Sequence, residues 1–205
     1  MTAEAPLLGA IERYYSDKFA QHGPSAAGVD WNSAESQELR FTQLLTVLDG
    51  DDGFSLVDYG CGYGALIRCL SARGLAFVYQ GFDLSEPMLE HARRAFTQQQ
   101  FTSDPGELEP CDYAVASGIF NVSLGFEDTQ WLAYVLKTIE HLHTLSMRGF
   151  AFNMLTSYSD ADKMRPDLYY GDPCFFFDLC KRQYSRNVAL MHDYDLFEFT
   201  IIVRK

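Results

Sequence analysis

From residue 54 onward, short apolar runs alternate with segments whose apolar residues recur every three or four positions. The runs at 55–58, 76–83, 101–103, 113–117 and 149–155 read as strands, and the segments at 65–73, 87–96 and 128–143 as helices. Pro87 fits the first turn of its helix, where a missing N–H costs nothing. Strands alternating with helices in this way build a parallel sheet covered on both faces. The tail breaks the rhythm. Strands at 187–191 and 197–204 are joined only by 192–196, too short for a crossover, so they pair antiparallel. Phe197, Phe199, Ile201 and Val203 alternate with Glu198, Thr200, Ile202 and Arg204, which predicts one drier face.

Ahead of the first strand, Ile11, Tyr14, Tyr15 and Phe19 mark a helix over 10–20, followed by a loop at 22–30. Asn32 or Ser33 caps a second helix through Leu48. Between the fifth and sixth strands, residues 156–184 are rich in Tyr and Phe, with a helix at 173–182. The expected fold is an α/β doubly wound, mostly parallel seven-stranded sheet with helices on both faces, ending in an antiparallel hairpin. It forms a single domain, 1–205: a helical cap (1–50), a core (54–156), an insertion (157–184) and the hairpin (185–205).

The candidate chemistry lies at the first strand's end, Leu56-Val57-Asp58-Tyr59-Gly60-Cys61-Gly62-Tyr63-Gly64. Glycines at alternate positions permit positive φ and close backbone approach. A strand running through them into a helix aims unpaired N–H groups at a ligand. Gly60-x-Gly62-x-x-Ala65, with Asp83 about twenty residues on, fits a dinucleotide fingerprint. Asp58-x-Gly60-x-Gly62-x-Gly64 fits a second cofactor equally well. Asp58 separates them, because an acid two residues before Gly60 suits an ammonium and a sulfonium better than a pyrophosphate.

Charge narrows the partners. Sixteen Lys and Arg stand against 28 Asp and Glu, a net charge of −12. That balance disfavours nucleic acid and anionic membranes as partners, and no apolar run reaches the roughly 20 residues of a spanning helix. The first six residues lack a leader's basic-then-apolar pattern. Five scattered cysteines without a C-x-x-C pair read as reduced thiols, so the expected location is cytoplasmic. His141 and His143, two apart on a helix, do not converge on one metal ion, and no metal is expected.

The motifs at 57–64 and 81–92 resemble those of the class I S-adenosylmethionine-dependent methyltransferases, of the small-molecule type, whose fold is Rossmann-like. Gly81-Phe82-Asp83-Leu84-Ser85-Glu86-Pro87-Met88-Leu89 is similar to the family's second motif almost throughout. The resemblance implies that Gly60, Cys61 and Gly62 approach the methionyl part and ribose of S-adenosylmethionine, and that Asp58 orients its amino group. It further implies that Asp83 holds the ribose hydroxyls, that Leu84 and Met88 flank the adenine, and that Asp104 or Glu107 meets the adenine edge. Ser117 and Gly118, at the fourth strand's exit, would leave room for the methionyl chain. Phe120 and Asn121 would face the transferable methyl. Asn121 is followed by Val122-Ser123, so the Asn-Pro-Pro-aromatic motif of nucleic-acid amino methyltransferases is absent.

The expected activity is methyl transfer to O or N of a small metabolite, by a monomer or homodimer. Aligning a nucleophile with the C–S bond and excluding water are the main requirements. A hydroxyl acceptor benefits from a base, for which His192, beside Asp193, is the weak candidate. Trp31, with Tyr14 and Tyr15, is placed by sequence order to cover the methionyl end, and Arg40 is either a solvated helix residue or, as the resemblance implies, a partner of the cofactor carboxylate. Tyr169 and Tyr170 belong either to a lid over the acceptor or to the core. Phe175-Phe176-Phe177 reads as core, and His91 as surface. The rivals are a protein or peptide methyltransferase, an NAD-dependent reductase, and a cofactor-binding scaffold without transfer.

Overall fold

The computed structural model describes residues 5–205; of the N-terminal stretch read for a leader, residues 1–4 lie outside it. Seven strands form one sheet: β1 (Phe54–Tyr59), β2 (Phe77–Phe82), β3 (Gln100–Thr102), β4 (Cys111–Ala116), β5 (Ser146–Leu155), β6 (Asn187–Met191) and β7 (Glu198–Arg204). Their spatial order is β3-β2-β1-β4-β5-β7-β6. The first five pair in parallel, while β7 runs antiparallel to both β5 and β6. The hairpin and its antiparallel sense are as loop length predicted.

The helices are α1 (Ala5–His22), α2 (Ala34–Leu44), α3 (Ala65–Ala72), α4 (Glu86–Ala95), α5 (Asp128–Leu145) and α6 (Pro173–Gln183). Ser33, not Asn32, caps α2, its hydroxyl accepting the Ser36 N–H. The predicted helix through Leu48 ends at Leu44 and tightens into a 3-10 turn, Leu45–Leu48, and a further 3-10 turn, Ala27–Val29, lies inside the expected loop. Alternation along β1 sends Val57 and Tyr59 into the apolar layer that holds α5 and α6, and Phe54 and Leu56 into the layer under α2 and α3. No described helix is long and apolar enough to cross a membrane.

One sheet expectation fails. β7 has no drier face: Glu198, Thr200 and Ile202 are as buried as Phe199, Ile201 and Val203. The strand lies inside the sheet, between β5 and β6, and α2 packs over its polar side. Phe197, assigned to the drier face, precedes the strand and is 48% exposed.

Candidate active site

The carboxyl ends of β1, β2 and β4 open on a cavity roofed by Ile11, Glu12 and Tyr15 of α1. Open α/β sheets bind ligands at this edge, where the strand order reverses. Between β1 and α3 the chain passes through Gly60, Gly62 and Gly64, all with positive φ. At Gly60 (φ +85°) a Cβ would lie 2.2 Å from Ile119 Cγ2, so both conformation and packing require glycine. The Gly60 and Cys61 N–H groups donate to the Phe82 carbonyl at 2.7 and 2.9 Å, fixing the loop to the end of β2.

Two of the three carboxylates lining this cavity are held at the ends of β1 and β2. Asp83 accepts the Gly62 N–H at 2.7 Å and the Ser85 N–H at 2.9 Å. Burial raises its pKa, and those N–H groups oppose the rise. Asp58 is 3% exposed and accepts the Tyr79 hydroxyl at 2.7 Å. Desolvation pushes its carboxyl up to about 7, helped by the Asp83 charge and opposed by Tyr79. Ser117 lends a buried hydroxyl with no hydrogen-bond partner. Among the described residues no Lys, Arg or His lines the cavity, whereas Glu12, Asp58 and Asp83 do. A lining of that sign accommodates an ammonium, a sulfonium and ribose hydroxyls, and repels a pyrophosphate.

A second cavity adjoins the first, and Tyr15, Val29, Trp31 and Gly118 line both. The partition between them is held by a closed ring of contacts. Trp31 lies against Gly118 (φ +73°), where a Cβ would fall 2.2 and 2.3 Å from its ring. The Arg40 guanidinium stacks over Trp31 at 3.9 Å. Arg40 Nε donates to both Glu198 oxygens at 2.9 and 2.8 Å. Asn153 donates to Glu198 at 3.4 Å and accepts the Gly118 N–H at 2.6 Å, which returns the ring to its start. Gly118→Ala is expected to displace Trp31. Since Trp131 is fully buried and the chain has two tryptophans, its emission should shift to the red as Trp31 meets water; an unshifted spectrum would refute this packing.

A family model for a methyltransferase domain matches residues 56–149. A curated Mycobacterium tuberculosis protein named as a methyltransferase is 52% identical over 164 residues, covering 78% of this chain and 99% of that protein. The chain belongs to the class I S-adenosylmethionine-dependent methyltransferases. Solved structures agree on the fold. Magnesium protoporphyrin IX methyltransferase from Synechocystis PCC 6803, with S-adenosylmethionine bound, superposes with a TM-score of 0.65 at 17% identity, covering 100% of both chains. A TehB-like methyltransferase from Corynebacterium glutamicum gives 0.56 at 17% identity, over 94% of this chain and 100% of that one.

In this methyltransferase, Asp58, Gly60, Cys61, Gly62, Asp83, Leu84, Met88, Ser117 and Gly118 all line the first cavity. Trp31, Asn121 and Tyr170 line the second. Other expected positions lie elsewhere. Asp104 accepts the Gly106 N–H at 2.8 Å and Glu107 bonds Thr102 at 2.6 Å, so both serve their own turn rather than the cavity. Phe120 is fully buried against Phe152 and Tyr134. Tyr169 packs on the core, its N–H donating to the Asn121 carbonyl at 2.8 Å. His192 is exposed, rests on Tyr158 and Phe199, and lines neither cavity. Arg40 is committed to Glu198 and lines only the second cavity, so it does not await the cofactor carboxylate. Tyr14 bonds Asp30 at 2.7 Å, anchoring α1 to the turn before Trp31.

The remaining aromatic and histidine readings divide. Phe176 is fully buried while Phe175 is 43% exposed, so the phenylalanine run is only partly core. His91 is half-buried, edge-on to Phe19 and Tyr63, rather than a surface residue. Asn153 carries no expectation in the sequence, and Glu198 only that of an outward-facing strand residue. An asparagine within the apolar run Phe150-Ala151-Phe152-Asn153-Met154 is the signal that could have singled out Asn153.

Proposed function

We propose that this methyltransferase methylates an oxygen or nitrogen of a small metabolite held in the second cavity, with S-adenosylmethionine in the first. The observation that carries the reading is the shared lining of Tyr15, Val29, Trp31 and Gly118, since in-line transfer needs donor and acceptor to meet where the two cavities adjoin. Asp83 receives the ribose hydroxyls, Asp58 the amino group, and Leu84 and Met88 flank the adenine. The unpartnered Ser117 hydroxyl and the backbone at Gly60, Cys61, Gly62 and Gly118 border the methionyl chain. Trp31, Asn121 and Tyr170 face the acceptor.

When bound, S-adenosylmethionine supplies a methyl on positive sulfur: the acceptor's lone pair forms the C–O or C–N bond as C–S breaks, sulfur keeps the pair, and any surplus proton passes to water. The chain's part is alignment and exclusion of water. No histidine lines the second cavity among the described residues, and its two carboxylates are engaged, Asp30 with Lys18 and Glu198 with Arg40. An acceptor that arrives already nucleophilic suits that lining.

Asp83→Ala is expected to weaken cofactor binding by about 1–3 kcal/mol, the scale of a hydrogen bond to a charged group. Calorimetric titration with S-adenosylmethionine checks it, and unchanged affinity would remove Asp83 from the site. Release of S-adenosylhomocysteine in the presence of small acceptors tests the activity. Transfer confined to peptides or proteins would overturn the acceptor class.

A further inference from the structure

We infer that the acceptor, in the second cavity as proposed above, is an amphipathic small molecule carrying one anionic group, a carboxylate in the simplest case, which Lys163 and Arg40 receive. The lining divides by chemistry. Val122, Leu155, Leu168 and Phe197 form an apolar wall, and Arg40, Lys163 and Arg165 supply positive charge. Cationic lining is notable in a chain with a net charge of −12, whose neighbouring cofactor cavity carries three acids and no described base.

The charges pair off except for one. Asp30 is bonded by Lys18, Glu198 by Arg40, and Arg165 by Asp167. Lys163 has no ion-pair partner among the described residues, leaving the lining one positive charge in excess. A second observation comes from Arg40. The residue is 6% exposed, and although Nε and Nη2 are satisfied by Glu198, Nη1 is buried without an acceptor. Buried guanidinium donors are normally filled, so a missing acceptor at the lining of a cavity points to a ligand oxygen. An anion is the ligand that answers both the surplus charge and the unfilled donor.

Lys163 belongs to the insertion between β5 and α6, and its backbone N–H donates to the Asp160 carbonyl at 2.9 Å, so the lysine sits on a defined turn. The same insertion is tied to the loop after β4, where Leu124 donates to the Asp167 carbonyl at 3.0 Å. The anion-reading residue is thereby held to the segment that carries Asn121.

The test uses the full chain saturated with S-adenosylhomocysteine and matched probes: 2-naphthoate against 2-naphthamide, indole-3-acetate against indole-3-acetamide, and 4-hydroxybenzoate against 4-hydroxybenzamide. Binding is read by Trp31 fluorescence and ligand-observed NMR. Each carboxylate is expected to bind at least about tenfold more tightly than its amide, the scale of one charge-assisted hydrogen bond. Lys163→Gln should abolish that preference, and Lys163→Arg should retain it. Equal binding of acid and amide would overturn the anionic acceptor while leaving the acceptor cavity standing. An undiminished preference in Lys163→Gln would overturn the role of Lys163. If no probe of either kind binds while S-adenosylhomocysteine does, the acceptor cavity itself falls, and the inference with it.

Discussion

Glu198→Ala unfolds at far lower urea than the parent chain, with an expected loss of about 3–5 kcal/mol. The reason is what the substitution leaves behind. Arg40 and Glu198 are 7% and 1% exposed in their side chains, so removing the carboxylate strands a guanidinium out of water. Replacing both members, as in Arg40→Met with Glu198→Leu, should recover most of the loss, because a well-packed apolar pair often matches a buried ion pair. A residual deficit in the double variant reflects the lost stacking on Trp31. The exposed pair Arg182–Asp178, 75% and 58% accessible, is the control, and Asp178→Ala should cost at most about 1 kcal/mol. A similarly small effect for Glu198→Ala would show that Arg40 is not left as an uncompensated buried charge.

The second large effect is on pH. Affinity for S-adenosylmethionine is expected to rise about tenfold per pH unit up to about pH 7 and to level off above it. Asp58 binds a proton below that point, and a neutral carboxyl cannot answer the cofactor's ammonium. The effect on the free protein has the opposite sign. A folded-state pKa near 7 lies above the unfolded value of about 3.9, so the fold binds the proton more tightly than the open chain does. Stability from this group is therefore greatest below the unfolded pKa and is lost as pH rises through the folded one, by about 4 kcal/mol in all. Cofactor should restore that loss, so its thermal stabilisation ought to be larger at about pH 8 than at about pH 6. Asp58→Asn removes both dependences if the assignment is right. Calorimetry and thermal melts across that range decide it, and a flat affinity profile in the parent chain would exclude Asp58 as the ammonium partner.

The parts of the molecule legible in sequence are those set by neighbours along the chain. Strand period, the glycine turn after Asp58, the acid following β2 and the short link before β7 are all local statements. The nine residues expected to border the cofactor line one cavity. What escaped depends on distance or on a single rotation. Arg40 and Glu198 are 158 positions apart, and nothing near either discloses the other. Glu198 was misjudged because alternation reveals faces but not whether a strand has neighbours on both sides. Phe120 was misjudged by one residue: Ser117, Gly118 and Ile119 line the cavity, and the next side chain turns into the core. Asp104 and Glu107 illustrate a third limit, since short polar side chains in turns satisfy their own backbone before any ligand.

The ring through Trp31, Arg40, Glu198, Asn153 and Gly118 also sets an order of events during synthesis. Its first two members leave the ribosome early, while Glu198 lies close to the carboxyl end. Domains begin to fold amino-terminus first as they emerge. Here Arg40 has no counter-charge until β7 has inserted between β5 and β6 and brought Glu198 beside it. A chain interrupted before its last strand would hold the glycine loop and both acids, yet lack the closed partition between the two cavities. The charge of Arg40 is made early and answered last.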